Sequence, residues 1–262
     1  MKTTTTDPGR EATLRQLGDF LGTYSARLLA CGSTCVRLQE NLTRMADRFG
    51  VRADVVVMPR HIHISVSRRG ECDTAIVTVP AAPVSYSVNT SLSRLSWDVA
   101  DGRLDLAGAR ARLGRIVARD VQPAWVTLTL VPLANASFCR LFGGDVVAMT
   151  VVFIATLAGY YLKQSLLRRR MDLRAVFFFC AFASGVLGAT DGLFGLGATP
   201  DIAIGTSVLY LVPGIPLLNS FSDLLDRRYI CSLGRFADAA VLTACLSAGL
   251  CAAMLLMGVG MF

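Results

Sequence analysis

The chain has 262 residues, 53% of them hydrophobic, with a mean hydropathy of +0.51 and a net charge of +7. That is too apolar for one ordinary soluble domain. The arginines are interleaved with acids rather than clustered, which argues against a nucleic-acid surface and for a basic face beside a lipid bilayer. Charge is unevenly spread: 17 Lys/Arg and 12 Asp/Glu lie before Pro123, and 9 and 7 follow it. The sequence therefore predicts two parts, a cytoplasmic α+β domain over 11–122 and a helical transmembrane domain over 123–262. Residues 1–10 contain no apolar stretch and read as a disordered leader rather than a signal peptide. The eight cysteines form no CxxC pair and no disulfide framework, consistent with a reducing compartment.

In the first part, Leu14, Leu17, Phe20, Leu21, Tyr24 and Leu28 recur at helical spacing, predicting a helix over 11–30. After Gly32, a second helix over 33–49 can be capped by Ser33 or Thr34. The period then shortens. Strands are predicted over 53–58, 61–67 and 72–79, with a turn at Arg68-Arg69-Gly70. Helices over 91–101 and 106–119 follow, the second capped by Asp105.

His61 and His63 share one strand face, but no third ligand stands near them in sequence, so a solvated face is the expectation. Cys31 and Cys35 lie one helical turn apart with Gly32 between them, and they are read as small buried residues. Ser65 lies near His63 without nucleophile-elbow glycines. No enzyme, no metal and no cofactor is expected.

In the second part, spans are predicted over about 124–142, 145–162, 175–193, 202–218 and 236–261. Lys163, Arg168, Arg169, Arg170 and Arg174 lie in one short connection, and Arg227, Arg228 and Arg235 in another. The opposite connections hold only Arg140. Positive charge thus places the N-terminus inside and the C-terminus outside.

Ser184, Gly188 and Gly192 repeat every four residues, as do Ala240, Ala244, Ala248 and Ala252. Such stripes suit close helix packing, within the chain or to a second copy. Pro213, Gly214 and Pro216 interrupt the fourth span. They read either as a broken helix of the kind that builds transport sites or as the stop of a helix ending at Val212. Polar groups at membrane depth are few: Asn135, Asn219 and Asp223 could line a route for a polar solute.

Several stretches carry a resemblance: the Cys-Gly-Ser-Thr-Cys-Val-Arg-Leu-Gln-Glu run at 31–40, residues 102–109, Gly143-Gly144-Asp145, and Val-Pro-Gly-Ile-Pro-Leu-Leu-Asn at 212–219 followed by Asp223. From about Gln16 onward the chain resembles the threonine/serine exporter (ThrE) family, most closely its short, split members of the YjjP type. Asp-Arg-Arg-Tyr at 226–229 departs from the Gly-containing turn of many relatives. The resemblance implies a subunit of a secondary exporter in the bacterial inner membrane, moving threonine- or serine-type amino acids or a dicarboxylate such as succinate. It also implies a separate small membrane subunit that completes the exporter. On that reading Pro213, Gly214 and Pro216 make the break, Asn135 and Asn219 bind solute, and Asp223 couples protons. The alternative is a membrane-anchored regulatory or interaction module whose soluble domain carries the function.

Overall fold

The computed structural model describes residues 13–119, 123–195 and 197–258. The expected leader and the last residues of the expected fifth span lie outside them. Two compact units are present. One contains the chain up to Val121 together with Ile215–Phe236; the other contains Gln122–Gly214 and the chain from Ala237 onward.

The first unit is α+β. Helix α1 (Leu14–Ala30) opens with a capping box: Thr13 Oγ1 accepts from the Gln16 N–H at 3.3 Å, and Gln16 Oε1 accepts from the Thr13 N–H at 3.2 Å. Gly32, at φ +90°, turns the chain into α2 (Cys35–Arg48), which Thr34 caps by accepting from the Arg37 N–H. Strands β1 (Arg52–Val57), β2 (His61–Arg68) and β3 (Glu71–Thr78) form an antiparallel meander in that order. In its register Val55 faces Ile64 and Ile64 faces Ala75. Ile62, Ile64 and Val66 are buried on one face of β2. His61 and His63 alternate with them and are more exposed, as strand geometry requires.

Helix α1 packs on β2 and β3. Gly22 permits the approach, since a Cβ there would lie 2.8 Å from Val77 Cγ2 and 3.3 Å from Ile64 Cγ2. Tyr24 is fully buried beneath α3 (Tyr86–Ala100). Its hydroxyl donates to the Leu92 carbonyl at 3.0 Å and accepts from Asn41 Nδ2 at 3.0 Å. Burial pushes this phenol well above its ordinary range. Helix α3 starts earlier than the expected Ser91 because Ser85 caps it, accepting from the Val88 N–H. Helix α4 (Leu106–Arg119) is capped by Asp105, whose carboxylate accepts from the Gly108 N–H at 2.8 Å.

The remaining helices are α5 (Ala124–Leu141), α6 (Val146–Arg168), α7 (Leu173–Phe194), α8 (Pro200–Ser207), α9 (Gly214–Leu225) and α10 (Tyr229–Met257). Four of them, α5, α6, α7 and α10, are long and apolar enough to cross a membrane. A fifth candidate is the broken pair Pro200–Leu211 and Gly214–Leu225. Helix α8 tightens into a 3-10 turn at Leu209–Leu211, and helix resumes at Gly214 immediately after Pro213. Pro216 falls in the first turn of α9, where a missing N–H costs little.

In the second unit α7 lies close against α8. A Cβ on Gly188 would meet Ser207 Oγ at 2.8 Å, and one on Gly192 would meet Pro200 Cβ at 3.2 Å. On α10 the buried positions of this unit include Ala239, Leu246 and Ala253. Ala240, Ala244 and Ala248 are exposed and Ala252 is half-buried, so the alanine stripe lies off that packed face.

Candidate functional site

In the second unit, polar groups line the interior faces of α5, α6 and α7. Asn135 is 4% exposed, and its Nδ2 donates to Thr156 Oγ1 at 2.7 Å and to the Thr206 carbonyl at 2.9 Å. On α6, Thr156, Gly159 and Lys163 follow at i, i+3 and i+7 and share one face. Gly159 leaves room for the Ser184 and Tyr210 hydroxyls, which are 3.0 Å from each other. Ser184 also donates to the Ala155 carbonyl at 3.3 Å.

Next along that face, the half-buried Lys163 ammonium lies 5.8, 5.3 and 5.9 Å from the ring centres of Tyr160, Phe177 and Tyr210. It makes no ion pair with a carboxylate among the described residues. Ring faces within about 6 Å stabilise a cation by about 0.5–2 kcal/mol each without using its hydrogen-bond donors.

A second polar cluster sits where α6 starts. Asp145 caps α6, accepting from the Ala148 N–H at 2.7 Å and, with its other oxygen, from the Ala198 N–H at 2.7 Å. Asp191, near the end of α7, is fully buried. Neither of its oxygens makes a well-formed hydrogen bond among the described residues. Both carboxylates face Gly197: a Cβ there would lie 2.9 Å from an oxygen of each.

In the first unit, α9 and the start of α10 grip the turn between α1 and α2. Asn219 Nδ2 donates to the Gly32 carbonyl at 2.8 Å, and Arg235 Nη2 to the Ser33 carbonyl at 2.9 Å. Arg228 Nη2 donates to Gln39 Oε1 at 2.9 Å. Asp223 Oδ1 accepts from the Cys35 N–H at 3.0 Å, while its Oδ2 lies 3.3 Å from Arg235 Nη1. Cys35 Sγ lies 3.3 Å from Cys231 Sγ. Donating its hydrogen to Cys231, together with burial, pushes the Cys35 thiol up from its ordinary range.

Of the residues singled out in sequence, Asn135 therefore lies in the helical unit, whereas Asn219 and Asp223 belong to the α+β unit. Pro213 and Gly214 stand at the break itself, and Pro216 just after it. Sequence reasoning missed Lys163 as a site residue because it counted it among the loop bases. The helix continues to Arg168, which places Lys163 inside a candidate span. Its spacing from Thr156 and Gly159 was the available signal.

The family model described as "Putative threonine/serine exporter" matches residues 19–257. The chain belongs to the threonine/serine exporter family. It is 28% identical over 233 residues to the "Probable succinate transporter subunit YjjP" of Klebsiella aerogenes, covering 88% of this chain and 90% of that one. It is 27% identical to the protein of the same name from Escherichia coli K12, covering 88% and 91%. No solved structure matches the chain. As a member of this exporter family with four or five candidate spans, the chain is a multi-pass membrane transport protein.

Proposed function

We propose that this chain is one subunit of a secondary exporter for a small carboxylate-bearing metabolite, either a hydroxy-amino acid of the threonine/serine type or a dicarboxylate such as succinate. The observation that carries this reading is Lys163, a cation within a candidate span with no carboxylate partner among the described residues, 5.9 Å from the ring centre of Tyr210, whose hydroxyl lies 3.0 Å from that of Ser184. Ionisable groups in such a place are expensive and mark solute or ion routes. Both solute classes share the carboxylate that an ammonium and the Tyr210 and Ser184 hydroxyls would receive. Asn135 would contribute from the adjoining network, and Pro213, Gly214 and Pro216 would supply the flexible break.

Proton coupling fits Asp191 better than Asp223. Asp191 has no oppositely charged partner among the described residues, so taking up a proton removes a lone buried charge, whereas Asp223 already has Arg235 and the Cys35 N–H. The relatives' printed name, "subunit", supports a second membrane protein as partner, and the exposed alanine stripe of α10 is a surface such a partner could use.

The test is export from cells loaded with threonine, serine or succinate, with and without the partner. Partner-dependent release of one solute is expected. Losing a charge-assisted contact of about 1.5–3 kcal/mol lowers solute affinity ~10–100-fold, so Lys163→Met should raise the half-saturating internal concentration by that factor while Lys163→Arg retains more function. Unchanged export by Lys163→Met would remove the site assignment. Asp191→Asn is expected to abolish the dependence of export on the proton gradient.

A further inference from the structure

We infer that Cys35, Asp223 and Cys231 form a binding site for one thiophilic divalent cation of the zinc class. This inference stands apart from the export reading and does not need it. Cys35 Sγ, a carboxylate oxygen of Asp223 and Cys231 Sγ all lie within 4.8 Å of one another, and all three residues are buried. They come from the first residue of α2, the body of α9 and the first turn of α10, so the donors are held by helices rather than by a loop. Two thiolates on a tetrahedral zinc, each about 2.3 Å from the metal, stand ~3.8 Å apart. The observed 3.3 Å between the sulfurs needs only a small opening to reach that value.

One oxygen of the cluster has a charged partner but no hydrogen bond. Asp223 Oδ1 is used by the Cys35 N–H, but Oδ2 is fully buried and makes no hydrogen bond, and its neighbour Arg235 Nη1 makes none either. Arg235 balances its charge at 3.3 Å, but a buried carboxylate is held best when hydrogen bonds satisfy its remaining lone pairs as well. A metal would use that oxygen. The charges balance as well: with both thiols protonated, Asp223 and Arg235 cancel. A divalent ion that binds both sulfurs displaces two protons, M²⁺ + 2 Cys–SH giving M(S–Cys)₂ + 2 H⁺, and leaves the net charge at zero. Two sulfur donors select zinc-like ions over magnesium or calcium, which take oxygen. Because the three donors tie the α1–α2 turn to α9 and α10, metal binding would be folding energy for the α+β unit.

The experiment uses the full chain in detergent, stripped with a chelator and titrated with cobalt(II). A thiolate-to-cobalt charge-transfer band and tetrahedral d–d bands are expected, saturating at one ion per chain and displaced by zinc. The exposed-cysteine variants Cys72→Ser and Cys251→Ser should keep them. Cys35→Ser and Cys231→Ser should each weaken the charge-transfer band by about half or abolish it, because one of the two sulfur donors is gone. In case these variants do not fold, the unaltered chain gives a second readout: its Tm should rise with zinc and not with magnesium. Absence of any thiolate band in the unaltered chain, persistence of the full spectrum in both cysteine variants, or a Cys35–Cys231 disulfide in protein isolated without oxidant would overturn the inference.

Discussion

The hydroxyl of Tyr24 is a single atom on which two elements depend. It satisfies the Leu92 carbonyl of α3 and the Asn41 amide of α2 at once, in a place water does not reach. Tyr24→Phe keeps the ring and removes both bonds, and unsatisfied buried polar groups cost about 1–3 kcal/mol. Thermal unfolding in detergent should show that loss, and Tyr24→Leu should lose more, because it adds a cavity. Lys163 behaves differently. Its surroundings are aromatic rather than hydrogen-bonded, so its replacement by methionine should cost little stability while altering export. A variant that unfolds instead would point to a packing role for Lys163.

Among the elements, two helical glycines in the same unit should respond in opposite directions. Glycine costs about 1 kcal/mol relative to alanine in a helix interior. At Gly114 on α4 nothing lies within 4 Å of an added Cβ, so Gly114→Ala should stabilise by that order. At Gly22 the added atom would meet Val77 and Ile64 of the sheet, and overpacking costs about 1–3 kcal/mol. Gly22→Leu should therefore lower Tm, and equal effects at the two sites would show that α1 does not approach the sheet as described.

Much of this level was legible in the sequence. The short β-branched run at 61–67 announced β2, and Ser33 or Thr34 and Asp105 announced their helices. Tyr86–Thr90 consists of poor helix formers, which hides the Ser85 cap and places the expected start of α3 at Ser91. The expected fifth span begins at Phe236, whereas α10 already runs from Tyr229. The cluster of Cys35, Asp223, Cys231 and Arg235 left no trace in spacing. Its members are separated by up to 200 residues, and only the fold brings them together.

At the scale of the whole molecule, the placement of basic residues leads us to propose that the α+β unit faces the cytoplasm. Cys72 offers a direct check, being exposed on β3. A membrane-impermeant thiol reagent should leave it unlabelled in intact cells and label it after permeabilisation; labelling in intact cells would reverse the orientation.

The clamp built by Ile215–Phe236 also sets an order of events during synthesis. The α+β unit borrows its last helical elements from a stretch made after the first spans. At about 5–20 residues per second, the residues between Val121 and Ile215 take ~5–20 s to leave the ribosome. During that wait the surfaces around Cys35 and the α1–α2 turn have no cover of their own. A nascent chain arrested before Ile215 should expose Cys35 to alkylation, and one arrested well beyond Phe236 should protect it. Completion of the α+β unit would then itself report that the membrane segments before it have been delivered.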